Sequence, residues 1–406
     1  MQTHITIVGG GMVGAALAAL LAAANERWQI ALVEAFAPPA AATDSFQPGY
    51  DERSTAIAHG SVELLQLAGV WPQLARFATP IKRVHVSDRG HLGGALIDRQ
   101  QLQVEALGYV VPNAWIGRVL LAHLQGLANI SLLAPATVRR LQPRVGGVEL
   151  QVERDGEEVS VHSELAVVAD GANSGLRQSL GIDVDRQDYQ QTAIIANISY
   201  ELPHQGVAYE RFTDAGPLAM LPLGGASGQQ SALVWTHPSD RAEAVMALDD
   251  EQFLELLQQR FGYRLGRLLQ VGRRDSYPLS LSVAREQIRS SIVLMGNAAH
   301  FLHPVAGQGF NLALRDCAAL ATCLQQAGAD QPLGSIALLQ QYQCQQQLDQ
   351  QTTIGFSDQL TKLFSSTGLP QAALRGLGFF GLECLPPAKG MLARQTMGNA
   401  SRRVIL

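Results

Sequence analysis

Three glycines near the N terminus have the spacing that cradles a phosphate group. Gly9, Gly11 and Gly14 follow the short apolar run at residues 5–8, and an Ala- and Leu-rich run begins at Met12. In such a pattern the first glycine allows a tight turn, the second lets the backbone approach a pyrophosphate, and the third lets a helix pack closely on a strand. The first N–H groups of that helix are free to bind an anion. The spacing therefore predicts a dinucleotide-binding turn.

A carboxylate follows at the end of the next apolar run. Glu34 comes 20 residues after Gly14 and directly after residues 29–33, which we expect to form the second strand. A carboxylate in this position accepts hydrogen bonds from ribose hydroxyls and repels a 2′-phosphate, which favours FAD or NAD over NADP. The sequence has no second GxGxxG after a strand. Because dehydrogenases need only one, the glycine motif leaves both NAD and FAD open.

Two later stretches each place a polar residue beside a glycine at the end of an apolar run. The first is VVADGANSGLR at residues 167–177, which contains Asp170. The second is GNAAHFLHPVAGQGFN at residues 296–311, which contains Asn297 and leads into a helix predicted from about Gln308. The first N–H groups of such a helix are unpaired. Beneath a flavin they would stabilise negative charge on the reduced ring.

Together these stretches resemble the aromatic-ring FAD monooxygenases of the p-hydroxybenzoate hydroxylase type. The resemblance covers roughly residues 3–350. Within that family the chain is most similar to the ubiquinone-biosynthesis hydroxylases, in the branch that hydroxylates 2-polyprenyl-6-methoxyphenol. The stretches that carry this second likeness are HVSDRGHLG at 85–93, ERFTDAGPLAMLPL at 210–223 and GNAAHFLHPVAGQGFNLALRD at 296–316.

The resemblance implies a role in FAD binding for residues that match the family motifs. Arg53 and Arg118 would lie near the pyrophosphate and the ribityl chain, although the sequence alone leaves a plain surface charge open for Arg53. Asp170 would support FAD and also serve nicotinamide binding. Asn297 departs from the pattern, because the family usually has Asp there. Asn still accepts a hydrogen bond from a ribityl hydroxyl but brings no negative charge.

The resemblance places the flavin ring at the start of the helix predicted near residue 308. Pro304 and the turn at residues 307–311 would line the isoalloxazine, and two backbone N–H groups of that turn would face its pyrimidine carbonyl. The implied FAD-binding residues are Gly9, Gly11, Gly14, Glu34, Arg53, Arg118, Asp170, Asn297, Pro304, Gly307, Gly309, Phe310 and Asn311.

The activity implied by the resemblance is hydroxylation of a polyprenylated phenol with O2 through a flavin hydroperoxide, and NAD(P)H is the expected electron donor. We assign no catalytic acid or base, since the flavin carries the chemistry and the protein positions and desolvates the reactants. Leu218, Met220 and Leu221 are candidates for an apolar wall beside the ring, with ordinary core packing as the alternative. Two other functions stay open. One is a flavin-dependent reductase of a prenylated substrate, and the other is a non-catalytic FAD-binding component of a quinone-biosynthesis complex.

Other chemistries find little support. His300 and His303 have no neighbouring Cys or carboxylate at ligand spacing, so we expect no metal site. Ser174 stands in DGANSG rather than GxSxG, so no hydrolase nucleophile elbow is predicted. The net charge of -5 argues against nucleic-acid binding. The four cysteines form no CxxC, which fits a reducing compartment and a cytoplasmic location.

The elements that must position these groups alternate between α/β and β patterns. We predict an α/β chain with a Rossmann-like FAD-binding domain, an inserted antiparallel β-sheet domain for the substrate, and a helical C terminus. The FAD-binding domain would comprise residues 1–75, 116–185 and 286–330. The substrate-binding β domain would comprise 76–115 and 186–285, and the C-terminal helical region 331–406. The spacing of apolar residues predicts a helix over 54–67 and an N-cap at Asp249 or Asp250 for a helix that ends near Phe261.

Two apolar regions raise the question of membrane contact. Residues 5–25 carry no charge and are long enough to span a bilayer, but the glycines favour a strand, a turn and a helix. Residues 365–406 carry five basic side chains against one acidic side chain, together with many Leu and Phe. Such a tail on an acidic protein suits reversible contact with anionic lipid or with a partner, at the inner face of the membrane. The alternative is a helix packed on the FAD domain.

Overall fold

The computed structural model describes residues 1–37, 53–88, 94–213, 216–224, 227–302, 307–328 and 331–365. Most of these residues belong to strands or helices. The strands are β1 (Gln2–Val8), β2 (Ile30–Val33), β3 (Ser54–Ala58), β4 (Thr79–Ile81), β5 (Arg83–Asp88), β6 (Gly94–Asp98), β7 (Gly108–Pro112), β8 (Ile130–Leu133), β9 (Thr137–Arg144), β10 (Gly147–Arg154), β11 (Glu157–Val168), β12 (Val184–Tyr200), β13 (Val207–Thr213), β14 (Gly216–Leu223), β15 (Gln230–Pro238), β16 (Leu268–Val271), β17 (Asp275–Ala284), β18 (Ile288–Arg289), β19 (Ile292–Leu294) and β20 (His300–Phe301).

The helices lie between these strands and at the end of the described chain. They are α1 (Met12–Ala24), α2 (His59–Leu67), α3 (Trp71–Leu74), α4 (Asn113–Gln125), α5 (Gly175–Ser179), α6 (Ser239–Met246), α7 (Asp250–Phe261), α8 (Gln308–Gln325) and α9 (Ile336–Ser365). The side chain of Asp249 accepts a hydrogen bond of 2.8 Å from the Gln252 N–H, which confirms the predicted cap of α7. Among the described helices, none is long and apolar enough to cross a bilayer.

The first sheet has a parallel centre. Its strands follow the order β18-β19-β11-β1-β2-β8, and β10 and β9 extend it beyond β11. Strands β2, β1, β11 and β19 run parallel, so their carboxyl ends meet at one edge. Helix α1 is buried from Gly14 to Ala22, because its small Ala side chains let it pack between this sheet and helices α4 and α8. The run at residues 5–25 is therefore a strand, a turn and a buried helix.

The second sheet has the order β20-β17-β12-β15-β14-β13-β5-β6, with β16 paired to β12. All of its pairs are antiparallel except β13 with β5. Because successive side chains of a strand point to opposite faces, this sheet has two distinct faces. The outer face carries Leu218, Leu233 and Trp235, and it packs on helix α7. The inner face carries Leu221, Ala208 and Ala232, and it packs on the third sheet, which has the order β3-β7-β4.

Two predictions about local structure need correction. The helix predicted over residues 54–67 is a strand, β3, followed by α2, because Ser54–Ala58 pairs with β7 more than fifty residues later. Residues 159–162 and 165–169, whose sequence patterns predict the return strand of a hairpin and a separate buried strand, belong to one long strand, β11, which pairs with β10 over its first half and with β1 over its second. The predicted domain boundaries stay a prediction. The short strand β20 joins the second sheet from within the segment 286–330 that we assigned to the FAD-binding domain.

Candidate active site

Four predicted site residues follow the carboxyl ends of neighbouring parallel strands. Val8 pairs with Val33 on one side and with Val168 on the other, and Val168 pairs in turn with Leu294. The chain leaves these strands at Gly9, Glu34, Asp170 and Asn297, so the register brings all four to one edge of the first sheet. The sequence motifs, which are separated by up to about 290 residues, therefore lie together at this edge.

The glycine turn is as tight as its spacing predicts. Gly9 has φ +101, a conformation that L side chains rarely adopt, and a Cβ atom there would lie 2.5 Å from the carbonyl oxygen of Ala169. A Cβ atom at Gly14 would overlap the carbonyl oxygen of Gly9. At Gly11, in contrast, a Cβ atom would meet nothing within 4 Å. The first and third glycines serve packing, and the second borders open space at the start of α1.

The N terminus of α1 is arranged to receive an anion. Its N-cap is Gly11, no described side chain caps its first N–H groups, and no acidic residue lies in its first turn. The helix dipole therefore adds to the free N–H groups at this point. A pyrophosphate would occupy the space that borders Gly11.

Glu34 is held in place by backbone N–H groups. Its Oε2 accepts a hydrogen bond of 2.6 Å from the Gly10 N–H, and its Oε1 accepts one of 3.0 Å from the Phe36 N–H. The side chain is 9% exposed. A carboxylate accepts about four hydrogen bonds, so two acceptor positions are left for ribose hydroxyls.

Asp170 lies directly against the glycine turn. A Cβ atom at Gly9 would be 3.0 Å from the Asp170 Cα. Burial raises the pKa of the Asp170 carboxyl above its ordinary value, and hydrogen bonding to Ser174 and to the backbone opposes this rise. Its Oδ1 is buried without a hydrogen-bond partner among the described residues. Such an orphaned acceptor is typical of a site that a ligand completes.

Arg177, which the sequence analysis did not single out, connects two of the motifs. Its Nη1 donates to the carbonyl oxygen of Ala298 over 2.9 Å, and its Nη2 donates to that of Ala172 over 3.1 Å. The backbone N–H of Arg177 also donates to Ser174 Oγ, which caps α5. This buried guanidinium ties the Asp170 loop to the turn at residues 296–298. Because Arg177 ends the DGANSGLR stretch, the sequence could have indicated that it belongs with Asp170.

The turn that carries Asn297 packs on the first turn of α1. Gly296 has φ +60, and a Cβ atom there would lie 3.0 Å from a methyl carbon of Val13. Asn297 itself is exposed and forms no hydrogen bond with a described residue. Its amide is free to meet a polar ligand group beside the start of α1.

The side chain of Asn311 joins the first turn of α8 to strand β3 by hydrogen bonds. Asn311 is buried, its Oδ1 accepts from the Ala58 N–H over 2.8 Å, and its Nδ2 donates to Ala56 O over 2.9 Å and to Gly307 O over 2.7 Å. Gly307 has φ +60, and a Cβ atom there would lie 3.3 Å from the Ala56 Cβ. Gly309 and Phe310 are partly buried, and Gly309 borders open space. Pro304, as well as His303, lies outside the described residues.

The two predicted arginines have different surroundings. The guanidinium of Arg53 lies 4.7 Å from the ring centroid of Tyr277 in β17, so it stands between the third sheet and the second. This contact gives Arg53 a defined position at the junction of the sheets. Arg118 is exposed on α4. No side-chain contact among the described residues joins Arg118 to the glycine turn, and its role stays a prediction.

A buried ionic network lies beneath α8. His300 Nε2 and Asp316 Oδ2 are 2.6 Å apart, and Gln350 Nε2 donates to Asp316 Oδ1 over 2.9 Å. Next to it, Arg315 pairs with Asp349 over 2.6 Å. These contacts join β20, α8 and α9, so the described partners of His300 are structural.

The three candidate wall residues do not share a wall. Leu218 and Met220 are fully buried on the outer face, in the core against α7, whereas Leu221 lies on the inner face. The correction follows from strand geometry, because neighbouring side chains along β14 alternate between faces. Only Leu221 is directed toward the third sheet, whose strand β3 is bonded to the start of α8.

These observations fit FAD. The open space at Gly11 and the uncapped N terminus of α1 suit a pyrophosphate, Glu34 suits a ribose, and Asp170 and Asn297 offer polar atoms further along the same edge. The start of α8 is hydrogen-bonded to β3, whose sheet packs on the inner face of the second sheet.

The comparisons with known proteins agree. The model of a family described as FAD binding domain matches residues 2–353. The chain is 38% identical over 401 residues to "Ubiquinone hydroxylase UbiL" of Rhodospirillum rubrum, covering 97% of this chain and 89% of that protein. It is 31% identical over 400 residues to "3-demethoxyubiquinol 3-hydroxylase" of Escherichia coli, covering 98% of each.

Solved structures show the same fold. The p-nitrophenol 4-monooxygenase PnpA of Pseudomonas putida has a TM-score of 0.77 at 17% identity, covering 99% of this chain and 100% of that one. The probable FAD-dependent monooxygenase pqsL of Pseudomonas aeruginosa has a TM-score of 0.75 at 21% identity, covering 94% of this chain and 100% of that one. The predicted fold class, the enzyme class and FAD as cofactor are confirmed. The chain belongs to the FAD-binding monooxygenase family that includes the ubiquinone hydroxylases.

Proposed function

We propose that this protein hydroxylates the phenol ring of a polyprenylated ubiquinone precursor, of the 2-polyprenyl-6-methoxyphenol type, with O2 and FAD. The named activities of the similar proteins from R. rubrum and E. coli support the ubiquinone pathway. FAD, when bound, supplies the redox chemistry that activates oxygen. The protein binds the cofactor, orients the ring and excludes water.

One observation carries the proposal. The groups proposed to bind FAD lie at the edge of the first sheet, and Asn311 at the start of α8 is hydrogen-bonded to β3. Strand β3 belongs to the third sheet, which packs on the apolar inner face of the second sheet. A ring bound against that face would lie next to the start of α8. Apolar side chains such as Leu221 and Leu223 suit a prenylated ring, because each buried CH2 contributes about 0.8 kcal/mol.

The electron donor is part of the proposal. We infer that NAD(P)H reduces the flavin, and the partly buried carboxyl of Asp170 at the FAD edge supports this, since the family resemblance gives its motif a role in nicotinamide binding. Glu34 would disfavour the 2′-phosphate only at the adenosine site of FAD, so it does not choose between NADH and NADPH.

Oxygen uptake with a defined phenol tests the proposal. The purified yellow protein is mixed with NADH or NADPH and with 2-farnesyl-6-methoxyphenol, and oxygen consumption is followed with mass spectrometry of the product. We expect uptake that depends on the phenol and a product heavier by one oxygen atom, labelled when 18O2 is supplied. A flavin-dependent reductase would instead yield a product with added hydrogen and no label. A non-catalytic FAD component would show no reoxidation coupled to product.

We also propose peripheral contact with the inner face of the membrane, or with a quinone-biosynthesis complex, from the cytoplasm. A polyprenyl tail is too apolar to diffuse freely, so the substrate must come from a bilayer or a carrier. The basic and apolar residues 366–406 are the segment that would make this contact, and they lie outside the described residues.

Flotation with vesicles tests this contact. The full chain and a chain ending at residue 365 are incubated at low salt with vesicles of phosphatidylcholine alone or with added phosphatidylglycerol. We expect the full chain to float only with the anionic vesicles and the shortened chain to stay behind. If the full chain never floats and both forms hydroxylate the prenylated phenol equally well, the contact does not exist.

A further inference from the structure

One carboxylate lies in the middle of the apolar inner face. Glu210 pairs across the sheet with Ala219 of β14 and with Val86 of β5. Its neighbours on the same face of its own strand are Ala208 and Phe212, two residues away in each direction. All four positions around this carboxylate are therefore apolar.

The carboxyl group of Glu210 has no hydrogen bond or ion pair with any residue in the described ranges. A buried charge is costly unless it is paired, so an unpaired carboxylate on an apolar face weakens the fold. The side chain nevertheless remains partly accessible, while burial raises the pKa of Glu210 to about 7. The carboxyl is therefore neither fully enclosed nor freely solvated.

Among the described residues, no other charged group is positioned to pair with Glu210. Asp88 shares its face two residues beyond Val86 on β5 and has interactions of its own. On β4 and β7, which pack on this face, Tyr109 is the titratable side chain.

The charged side chains of α9, which contacts β14, are already paired with other groups. Asp349 pairs with Arg315, and Asp358 accepts hydrogen bonds from Tyr189 and from Lys362. The partner of Glu210 is therefore missing from the described protein itself.

We propose that Glu210 accepts the hydrogen bond of the substrate's phenolic hydroxyl and takes up its proton, while the surrounding apolar side chains hold the ring. This inference rests on the phenolic substrate of the proposed function. The phenolic O–H bond breaks, its electron pair stays on the phenolate oxygen, and a new O–H bond forms on the Glu210 carboxylate. The phenolate is the more electron-rich form of the ring, which is the form that oxygen transfer to an aromatic carbon needs.

The acid–base match supports this role. A phenol has a pKa near that of tyrosine, about 10, and an ordinary glutamate near 4.3 is too weak a base to share its proton. Proton transfer becomes more efficient as the pKa values of the two groups approach each other. The apolar surroundings that raise the pKa of Glu210 to about 7 bring its carboxylate closer to the phenol.

The experiment measures binding rather than turnover. The FAD-loaded parent protein and the variants Glu210→Gln and Glu210→Leu are titrated with 2-farnesyl-6-methoxyphenol and with its O-methyl ether, which lacks the acidic proton. Flavin fluorescence reports the affinity for each compound from pH 6 to pH 9. Glu255→Gln is the matched control, because Glu255 is exposed on α7. The FAD content of each variant checks its fold.

We expect the parent and Glu255→Gln to bind the phenol at least tenfold more tightly than the ether above pH 7, with a preference that weakens below pH 7, where the Glu210 carboxylate is protonated. Glu210→Gln should lose the pH dependence, while its amide oxygen keeps part of the preference. Glu210→Leu should lose the preference as well. The assignment is overturned if both Glu210 variants keep the parent's preference and pH dependence.

Failure of the proposed function gives a different result. A parent that binds the phenol through Glu210 but consumes no oxygen would contradict hydroxylation and leave this assignment supported. A parent that hydroxylates the phenol, with Glu210 variants that bind and hydroxylate it equally well, would overturn the assignment alone.

Discussion

The Glu34 carboxylate accepts a hydrogen bond of 2.6 Å from the backbone N–H of Gly10, across the turn between β1 and α1. This contact holds the acid of the second strand against the glycine motif of the first. The second oxygen of Glu34 is bonded to the Phe36 N–H. The acid is therefore oriented before a nucleotide arrives, and binding does not have to order it.

Replacement of Glu34 should weaken FAD binding in two steps. Glu34→Ala removes both the ribose acceptor and the bond to Gly10, and we expect a loss of about 2 kcal/mol, or roughly thirtyfold in Kd. Glu34→Gln keeps one acceptor oxygen and should lose less. Fluorescence titration of the FAD-free protein gives both constants, and Glu26→Ala serves as the control because Glu26 is exposed. An unchanged Kd for Glu34→Ala would show that this carboxylate does not meet the ribose.

Substitutions at two glycines should separate cofactor binding from folding. Gly11 has φ -62 and ψ -179, which valine adopts without strain, and its side chain would point into open space. Gly11→Val should therefore keep the melting temperature of the FAD-free protein and abolish the yellow cofactor. Gly14→Ala forces a Cβ atom into the Gly9 carbonyl and should cost about 1–3 kcal/mol of stability. If Gly11→Val purifies with a full complement of FAD, the pyrophosphate does not pass this glycine.

Features that depend on residues close together in the chain could be predicted from the sequence. The βαβ unit, its acid and its glycines follow from spacing within about 35 residues, and the structure has them as expected. The family resemblance, rather than local spacing, implied that the Asp170 and Asn297 turns belong to the same cofactor site as Gly9. Strand β3 was missed because its partner β7 lies far along the chain, and such pairing overrides local periodicity.

The face of the sheet to which a side chain points could not be predicted from the sequence either. Leu218 and Leu221 stand in one quoted stretch, but the strand register places them on opposite faces. Glu210 opens that same stretch, and its isolation on the inner face appears only when β13 is aligned with β5 and β14. The contacts of Arg177 likewise depend on a turn more than a hundred residues away.

Asn297 should tolerate a charge but not an apolar side chain. It is exposed beside the start of α1 and forms no hydrogen bond with the described protein, so a substitution there leaves the FAD-free fold intact. Asn297→Asp keeps an acceptor for a ribityl hydroxyl and should retain FAD and most of the activity. Asn297→Leu leaves that hydroxyl unpaired and should weaken FAD by about 1–3 kcal/mol. Equal FAD affinities for Asn297→Leu and the parent would place this residue outside the cofactor site.

The Glu210 carboxyl should lower the free energy of unfolding as the pH rises, and Glu210→Gln should remove this effect. Burial raises the pKa of Glu210 from 4.5 to about 7, so between these values the folded protein holds a proton that the unfolded chain has lost. Stability therefore falls as pH rises from 4.5 toward 7, and the full penalty remains above 7. At about 1.4 kcal/mol per pKa unit the penalty is about 3 kcal/mol, which partial solvent access reduces to about 2 kcal/mol.

Urea unfolding of the substrate-free protein measures this penalty. Glu210→Gln should be more stable than the parent at pH 8 but not at pH 4.5. The control Glu255→Gln should have the stability of the parent at both pH values. The stability difference between Glu210→Gln and the parent could instead be the same at pH 8 and at pH 4.5. That result would mean that the Glu210 carboxylate is already solvated or paired in the folded protein, so that its burial carries no penalty.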